Sequence, residues 1–301
     1  MKMNFDIVIP TMNRPEDLER LIDSISRSTE LPQKVIIIDQ SKNTPKFITS
    51  ELFEVHHINT TDVSGLTAAK NKGVQYCNSD IIHFFDDDII VDPDYFETIH
   101  KHFIENPQYV GICGRQKNSK SSRMKLLAFS FFHIGAFSDI RKMCNSGYVK
   151  KSLVDTNILP GGITAYKKSV FDEFSFDETL VKYCLGEDMD FSYRVSKKYK
   201  LAFATDALAL HNHSAIGRYD AKEAFACKVA GYSYFYEKNM SKRIFDKFAY
   251  SLVILGIIAD SLAYTCSKMD LTAIKGVSKG FHYIRNKYLG VPFLDVNKIQ
   301  L

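Results

Sequence analysis

The chain has 301 residues, of which 45% are hydrophobic and 25% are charged. This composition is typical of a globular protein and does not indicate a disordered chain. The length allows one large α/β domain with an extension, or two small domains. The formal net charge of +4 is too small to indicate nucleic acid as a partner.

The cysteines and the N-terminus both favour a cytoplasmic protein. Six cysteines are scattered without a C-x-x-C pair, which is typical of reduced thiols packed as small apolar groups. No signal peptide is expected, because Asp6 and Pro10 interrupt any apolar run after Lys2. Reduced cysteines and the lack of a secretion signal fit the cytoplasm.

Early in the chain, four apolar runs predict buried strands, and helical spacing predicts helices between them. The strands are expected at Phe5 to Pro10, Val35 to Asp39, Val55 to Ile58 and Ile81 to Phe85. The helices are expected at about 15–28, beginning at Pro15, and at Leu66 to Tyr76. Alternating strands and helices predict an α/β fold, with a mostly parallel sheet flanked by helices.

Polar residues follow three of these strands at the point where each strand ends. Thr11, Asn13 and Arg14 come after the first strand, Asp39 ends the second, and Asp86-Asp87-Asp88 ends the fourth. In open α/β sheets, ligands bind beyond the carboxyl ends of the strands. The sequence therefore predicts a binding site at this edge. Asp39 fits either a turn cap or a contact with the N–H of a pyrimidine base.

The triple aspartate is the sharpest chemical signal in the sequence. Adjacent carboxylates repel one another unless they are solvated or neutralised by a cation. Hard divalent ions such as Mg²⁺ and Mn²⁺ are held by a few carboxylates together with phosphate oxygens of a substrate. An exposed acidic turn before a helix near Pro93 is the alternative. The position after a buried strand favours a metal site that serves a nucleotide diphosphate.

Two further clusters carry candidate chemistry, after a basic and aromatic stretch at 116–157 without clear periodicity. Gly186-Glu187-Asp188 precedes a predicted helix, Met189 to Lys197, and offers either a general base or favourable acidic charge at a helix start. A short predicted strand, Ala202 to Thr205, leads to His211 and His213. These two side chains alternate in an extended segment, so at most one is expected to reach a given metal.

Three common catalytic signatures do not occur in the sequence. There is no G-x-x-x-x-G-K-[ST] loop, which disfavours a P-loop NTPase. The first strand is not followed by G-x-G-x-x-G, which disfavours a dinucleotide oxidoreductase. A strand that leads into a G-x-S-x-G elbow is also missing, because the G-x-S-x-G string from Gly276 to Gly280 follows no predicted strand, and this disfavours an α/β-hydrolase.

Taken in order, the motifs resemble those of the family 2 glycosyltransferases, which have the GT-A fold. The matching segments are Val8-Ile9-Pro10-Thr11-Met12-Asn13-Arg14, Asp39-Gln40-Ser41, the helix start GLTAAKNKG from Gly65 to Gly73, Asp86-Asp87-Asp88, Gly161-Gly162 with Lys167-Lys168-Ser169-Val170-Phe171, and Gly186-Glu187-Asp188-Met189-Asp190. The resemblance covers about residues 5–215. Each motif is short, but their common order makes the match specific.

The resemblance implies which residues hold the nucleotide of a nucleotide-sugar donor. Asp39 would contact the base and Asp86 the ribose. The family's usual Arg is Lys70 here, which keeps the positive charge but loses the bidentate fork of a guanidinium. The full nucleotide-binding set would be Pro10, Thr11, Asn13, Arg14, Asp39, Lys70, Asp86 and Asp87.

The same resemblance implies a metal site and a catalytic base. Asp88 and His211 would hold Mn²⁺ or Mg²⁺, with His213 as the alternative to His211. Asp188 would remove the proton of the acceptor hydroxyl, with Glu187 as the alternative base. The remaining pair, Gly161 and Gly162, would line the sugar side of the site.

Residues 1–215 are expected to form the catalytic domain, and 216–301 a helical C-terminal extension. The apolar run from Phe248 to Ala259 has 12 residues, whereas a membrane-spanning helix needs about 20. Residues 237–290 carry nine Lys or Arg against four Asp or Glu. Such a segment fits the surface of an anionic membrane. Packing on its own domain, or on a second subunit in a homo-oligomer, is the alternative.

The expected function is an inverting, metal-dependent glycosyltransferase that uses a nucleotide diphosphate donor, with uridine or thymidine favoured. The acceptor would be a saccharide or lipid-linked saccharide at the inner face of the cell membrane, because the tail resembles those of family members that build surface polysaccharides. One alternative is a sugar-phosphate nucleotidyltransferase, but Thr11 to Arg14 is not its Gly- and Arg-rich loop. The other is a non-catalytic nucleotide-binding scaffold, which the intact Asp86, Asp88 and Asp188 disfavour.

Overall fold

The computed structural model describes residues 3–42, 47–60, 62–63, 65–119, 121–181, 186–212, 214 and 219–298. The strands in these ranges are β1 Phe5–Thr11, β2 Lys34–Asp39, β3 Glu54–Asn59, β4 Ile81–Phe85, β5 Ile89–Val91, β6 Tyr109–Gln116, β7 Leu153–Thr156, β8 Ile163–Lys167 and β9 Lys200–His211. The helices are α1 Pro15–Ser26, α2 Leu66–Val74, α3 Tyr95–Glu105, α4 Arg123–Phe132, α5 Arg141–Asn145, α6 Glu187–Ser196, α7 Ala221–Asn239, α8 Ile244–Lys268 and α9 Thr272–Arg285.

These strands form one sheet in the order β3-β2-β1-β4-β8-β6-β9-β5, with β7 also paired to β9. The first four strands in this order are parallel to one another, as the alternation of strands and helices predicts. Strand β8 is antiparallel to both β4 and β6, so the other half of the sheet is mixed. The predicted α/β architecture with helices at the C-terminus is confirmed.

The central strands are buried on both faces because helices cover both sides of the sheet. Ile7 and Ile9 of β1 pack in a cluster with apolar residues of α1 and α3. Val8, which points to the opposite face, packs in a second cluster with Ala69 of α2 and Phe191 of α6. This alternation explains why β1 is a continuous apolar run rather than an amphipathic one.

Strand β9 is much longer than the predicted strand at Ala202 to Thr205, because it exchanges partners along its length. One edge of β9 pairs with β6 from Lys200 to Ala209, while the other edge pairs first with β7, at Leu201 to Ala204, and then with β5, at Ala209 to His211. Ile89 is the antiparallel partner of His211 in this last ladder. The pairing with β5 therefore places His211 beside Ile89, the residue that follows the triple aspartate.

The C-terminal helices are tied to the elements that carry the candidate base. Lys238 of α7 contacts Asp177 at 2.5 Å and Asp190 of α6 at 2.9 Å. Farther along, the backbone N–H of Val181 donates to the carbonyl of Phe293 at 2.7 Å. The division at residue 215 stays a prediction, but the extension packs against the catalytic part of the chain.

Helix α8 has 25 residues and continues through Lys247 and Asp260, the charges that bound the predicted 12-residue apolar run. Its most apolar 18-residue window has a mean hydropathy of 1.6 and is only 22% buried, so length and composition alone would allow it to span a membrane. The sequence underestimated this helix because flanking charges do not end a helix that packs along a protein surface. Its buried residues, Ala249, Val253, Ile257 and Ser261, recur at helical spacing against the rest of the chain.

Replacing Phe293 with alanine tests whether the C-terminal segment is part of the folded core. Its side chain is fully buried, so Phe293→Ala is expected to lower the free energy of unfolding by about 3–5 kcal/mol. Urea unfolding followed by circular dichroism measures this change. Leu289→Ala is the matched control, because Leu289 is 62% exposed and its truncation should change stability by less than about 0.5 kcal/mol. Equal effects of the two substitutions would contradict the packing.

Candidate active site

The loop after β1 is bound to the triple aspartate through Asp87. Thr11 Oγ1 donates to one carboxylate oxygen of Asp87 at 2.7 Å, and Arg14 Nη1 donates to the other at 3.0 Å. Burial raises the pKa of Asp87 to about 6, although both hydrogen bonds act in the opposite direction. Asp87 therefore holds the predicted nucleotide loop in place from within the protein.

Asn13 shapes the same loop after the buried Pro10. Its φ of 58° lies in the left-handed region, which asparagine tolerates better than most residues. Its backbone N–H donates to Ser41 Oγ at 2.7 Å. The loops after β1 and β2 are thereby joined, as expected for neighbouring parallel strands whose ends meet at one edge.

Asp39 lies buried at the end of β2, where its carboxylate contacts Ser41 and His57. One oxygen accepts the backbone N–H of Ser41 at 2.8 Å, and the other lies 3.2 Å from His57 Nε2. His57 Nδ1 accepts the backbone N–H of Ile48 at 3.0 Å, so Nε2 carries the proton when the ring is neutral. Asp39 therefore places a buried hydrogen-bond acceptor at the end of β2, where a nucleotide base was predicted to bind.

Asp86, Asp88 and His211 form a compact group at the centre of this edge. One potential ligand atom from each residue lies within 4.8 Å of the others. His211 Nε2 is 3.0 Å from Asp88 Oδ1, and the Ser214 backbone N–H donates to Asp88 Oδ2 at 2.9 Å. Burial opposes ionisation of Asp88, but these partners and Arg14 together lower its pKa to about 2.

The donor set of this triad fits a divalent cation. It offers two carboxylates and one imidazole, and hard ions such as Mn²⁺ and Mg²⁺ combine carboxylate ligands with phosphate oxygens and water. Burial raises the pKa of Asp86, while Lys70 and His211 oppose that rise. Asp86 joins the two residues predicted as metal ligands, whereas the alternative His213 lies outside the described residues.

Gly161 and Gly162 allow the charged side chains of Asp86, Glu187 and Lys70 to approach the backbone closely. A Cβ at Gly162 would lie only 2.1 Å from Asp86 Oδ2. A Cβ at Gly161 would lie 2.6 Å from Glu187 Oε1, 2.8 Å from Lys70 Nζ and 3.3 Å from Asp188 Cβ. Neither position has room for a side chain. The two glycines therefore bring the Asp86-Asp88-His211 group and the Glu187-Asp188 pair to adjacent positions, and the part of the site that these groups share is called the cleft below.

Lys70 and Glu187 form a buried ion pair behind this cleft. Lys70 Nζ donates to Glu187 Oε1 at 3.1 Å and to the carbonyl of Gly161 at 3.2 Å. Burial raises the pKa of Glu187 to about 7, with Lys70 opposing the rise and Asp188 adding to it. The lysine thus joins the predicted nucleotide-binding helix to the predicted catalytic motif.

Asp188 is the more exposed of the two candidate bases. Its side chain is 17% exposed, against 8% for Glu187, whose carboxylate is paired with the buried Lys70. Asp188 Oδ1 accepts the backbone N–H of Met189 at 2.8 Å, and Oδ2 accepts from Arg141 Nη1. Access to the cleft therefore favours Asp188 over Glu187 for contact with an acceptor.

The sequence profile of glycosyl transferase family 2 matches residues 6–174, which is more than half of the chain. The chain belongs to glycosyl transferase family 2. The match contains the first five of the motifs that carried the resemblance, from the β1 loop to the segment after Gly162. The sixth motif, Gly186 to Asp190, follows the matched range.

Two bacterial relatives are similar to this glycosyltransferase over most of its length. The O-antigen chain rhamnosyltransferase RfbN of Salmonella typhimurium is 26% identical over 229 residues, which cover 74% of this chain and 69% of RfbN. The uncharacterized glycosyltransferase YwdF of Bacillus subtilis is 29% identical over 224 residues, covering 71% of this chain and 76% of YwdF.

A solved structure confirms the fold. The mannosyltransferase PcManGT from Pyrobaculum calidifontis, in complex with GDP-Man and Mn²⁺, has a TM-score of 0.57 to this glycosyltransferase at 12% sequence identity. The superposition covers 97% of this chain and 88% of PcManGT. At this identity the likeness concerns the fold alone, and it confirms the predicted GT-A class.

Sequence reasoning missed the residues that orient His211 in this glycosyltransferase. Gln116 Nε2 lies 3.0 Å from His211 Nδ1, and the Asn118 side chain donates to the His211 carbonyl at 2.7 Å. Such partners fix the ring orientation of a metal-binding histidine. Gln116 ends β6 and Asn118 follows it, and no local motif identifies either residue. His57 and Arg141 were missed for the same reason, since only the fold brings them to Asp39 and Asp188.

Replacing Gly162 with alanine tests the close approach of Asp86. The new methyl group would displace the Asp86 carboxylate, so we expect Mn²⁺ affinity in the presence of nucleotide to fall about 10–100-fold. Electron paramagnetic resonance of free Mn²⁺ measures this affinity without any activity assay. Gly256→Ala is the control, because a Cβ there would crowd Phe132 at 2.7 Å, far from the triad in the chain. Unchanged Mn²⁺ binding by Gly162→Ala would contradict the assignment.

Proposed function

We propose that this glycosyltransferase moves a sugar from a nucleotide diphosphate donor to a saccharide or lipid-linked saccharide, with inversion at the anomeric carbon. The observation that carries the proposal is the pair of adjacent glycines. Gly162 contacts Asp86 of the triad, and Gly161 lies against Glu187 and Asp188. A metal-binding group and an accessible carboxylate therefore face one cleft, which is the arrangement that direct displacement needs.

In this proposal Asp188 accepts the proton of the acceptor hydroxyl as its oxygen attacks the anomeric carbon. The new glycosidic bond forms as the bond to the diphosphate oxygen breaks, so the sugar leaves with inverted configuration. Asp86, Asp88 and His211 would hold Mn²⁺ or Mg²⁺, which supplies positive charge for the departing diphosphate when it is bound. Lys70 adds positive charge next to the same cleft.

The donor is proposed to carry uridine or thymidine diphosphate. Asp39, at the end of β2, presents a carboxylate to which the N3–H of a pyrimidine can donate. Thr11, Asn13 and Arg14 form the adjoining loop, which Asp87 and Ser41 hold in place. The fold neighbour PcManGT was solved with GDP-Man, so a guanine nucleotide belongs in any test of donor choice.

The cellular role proposed is surface polysaccharide synthesis at the cytoplasmic face of the membrane. The relative RfbN is an O-antigen chain rhamnosyltransferase, and we propose a saccharide chain as the acceptor of this enzyme also. An acceptor of this kind on a lipid carrier would require the enzyme to work close to a bilayer. The exposed apolar residues of α8 provide a surface suited to that position.

Helix α8 carries an apolar stripe on its exposed side. Phe248, Leu255 and Leu262 follow one another at seven-residue spacing and are each about half exposed. Helix α4 packs against α8 through Phe132 and Gly256, and it exposes a second stripe at Met124, Leu127 and Phe131. A large exposed apolar surface on a water-soluble domain is typical of an interaction site.

Charge favours an anionic membrane as the occupant of this surface. Arg243 and Lys247 lie at the start of α8, and Arg123 and Lys125 at the start of α4, all exposed beside the apolar stripes. Apolar residues next to exposed cations match the acyl boundary and the anionic headgroups of a bilayer. The buried face of α8 remains packed on the protein along its length, so we propose that the helix lies on the membrane rather than crossing it.

Paired substitutions at the catalytic cleft test the proposed transfer. Donors to be tried are UDP-glucose, dTDP-rhamnose and GDP-mannose, with Mn²⁺ and with release of the nucleotide diphosphate as the readout. Asp188→Asn should abolish turnover but leave calorimetric nucleotide binding intact, because its carboxylate acts only on the acceptor. Asp88→Ala should remove the Mn²⁺ dependence of that binding.

Three outcomes would contradict this proposal. Near-normal turnover by Asp188→Asn would place the base elsewhere. A folded wild-type protein that binds none of the nucleotides would instead favour the non-catalytic scaffold. Formation of a nucleotide sugar with release of pyrophosphate, from a sugar phosphate and a nucleoside triphosphate, would favour a nucleotidyltransferase.

Substitutions on α8 test the membrane surface. Changing Leu255 and Leu262 together to glutamate should reduce sedimentation with phosphatidylglycerol vesicles at least about tenfold, because two apolar side chains leave the acyl boundary. Leu52→Glu is the matched control, since Leu52 is 56% exposed on the turn before β3 and Leu255 is 53% exposed. A wild-type protein that ignores the vesicles but forms dimers in analytical ultracentrifugation would show that the stripe binds a second copy.

A further inference from the structure

Arg141, the first residue of α5, lies between two carboxylates. Its Nε donates to both oxygens of Asp139 at 2.9 and 3.0 Å, and its Nη2 lies 2.9 Å from Asp139 Oδ2. Its Nη1 donates to Asp188 Oδ2. The backbone N–H of Arg141 donates to Asp139 Oδ1 at 2.9 Å, which fixes the two residues to each other.

Asp139 acts as a clamp on the arginine. Burial opposes ionisation of Asp139, but the paired guanidinium lowers its pKa overall, so the carboxylate is charged at neutral pH. Asp139 and Arg141 then form a nearly neutral unit. The Asp139–Arg141 pair therefore adds little net charge at the cleft. Its main contribution to Asp188 is one hydrogen-bond donor, Arg141 Nη1, in a fixed orientation.

The second oxygen of Asp188 is also fixed, by the backbone N–H of Met189 at 2.8 Å. With Oδ1 and Oδ2 each holding one donor, the plane of the carboxylate is set. Each oxygen keeps one further lone pair for a proton from outside the protein. The carboxylate is therefore held without being blocked.

We propose that Arg141, clamped by Asp139, is the positioning residue that orients the Asp188 carboxylate toward the acceptor hydroxyl. This inference rests on the proposed function, because it takes Asp188 as the base. Arg141 itself does not contact the reacting atoms. Arg141 belongs to the stretch between 116 and 157, which has no clear periodicity in the sequence. Helix α5 packs little apolar surface, and its role in this proposal is to position Arg141.

A lysine cannot replace this arginine. A single ammonium group lacks the planar guanidinium fork, which binds the Asp139 carboxylate and Asp188 Oδ2 at the same time. Arg141→Lys should therefore keep the charge and lose the orientation. Asp139→Asn should leave the arginine in place but less firmly held.

The experiment measures release of nucleotide diphosphate from UDP-glucose, dTDP-rhamnose and GDP-mannose with Mn²⁺, using the full chain. Arg141→Ala is expected to lower kcat about 100-fold with the donor KM unchanged within twofold, because misplacing a reacting group by about 1 Å has this effect. Arg141→Lys should show a similar loss, and Asp139→Asn a loss of about tenfold. Methylguanidinium at millimolar concentration should restore part of the kcat of Arg141→Ala.

The matched control is Arg194→Ala, which removes another arginine bound to α6. Arg194 Nε donates to Asp190 Oδ2 at 2.9 Å, two residues after the proposed base. This variant should retain kcat within about twofold, because it removes an ion pair of the same helix without touching Asp188. Thermal unfolding and calorimetric nucleotide binding of all variants separate loss of fold from loss of turnover.

The outcomes distinguish this inference from the proposed function. A wild type that releases nucleotide from none of the donors, or an Asp188→Asn variant with full turnover, would overturn both. Full turnover by Arg141→Ala, with Asp188→Asn inactive, would overturn only the role of Arg141. A loss that comes with raised donor KM or weaker nucleotide binding, and without rescue by methylguanidinium, would also overturn it. If Arg141→Ala does not fold, Arg141→Lys and Asp139→Asn decide in the same way.

Discussion

The active-site edge is dominated by the need to neutralise several carboxylates that lie close together in a partly buried cleft. Three carboxylates have a cationic partner from different parts of the chain, Arg14 for Asp87, Lys70 for Glu187 and Arg141 for Asp188, and a fourth, Asp88, contacts the imidazole of His211. Like charges at such distances are destabilising unless they are compensated. These pairs therefore connect the β1 loop, α2, α5 and β9 to one centre.

This charge compensation also explains the unusual backbone of the site. The carboxylate of Asp86 and the Lys70–Glu187 pair can approach the backbone only where side chains are absent, at Gly162 and Gly161. The positive φ of 112° at Gly186 turns the chain so that Glu187 and Asp188 begin α6. One carboxylate then faces the buried lysine while the next faces the cleft. Local glycine conformations and long-range ion pairs thus define the site together.

The C-terminal helices also neutralise a carboxylate, at a position outside the cleft. Lys238 of α7 is bound to Asp190, which lies two residues after Asp188 and ends the acidic segment at the start of α6. Helix α8 lies on the outer side of this bundle with its apolar stripe exposed, and α4 from the middle of the chain packs beside it. The proposed membrane surface and the proposed base are therefore parts of one packed body, which would place the cleft near a lipid-linked acceptor.

The sequence by itself determined the elements whose signals are local. The strand Ile81–Phe85 was predicted with its observed bounds, and β1, β2 and α1 within two residues, because continuous apolar runs and a proline at the helix start depend on near neighbours. The motif order also determined the family, which the profile match confirmed. The position of the triple aspartate after a buried strand marked it as a candidate site, and the family resemblance then implied the roles of Asp86, Asp88 and His211.

Only the tertiary structure decided which of these residues meet. β9 exchanges partners and pairs His211 with Ile89, so the histidine reaches Asp88 across more than a hundred residues of chain. Gln116, His57 and Arg141 complete the contacts of His211, Asp39 and Asp188 without any local pattern. Such contacts depend on long-range strand pairing and on electrostatic pairing in a buried cleft. Neither is encoded in the spacing of residues along one segment, and this is why the sequence alone could not show them.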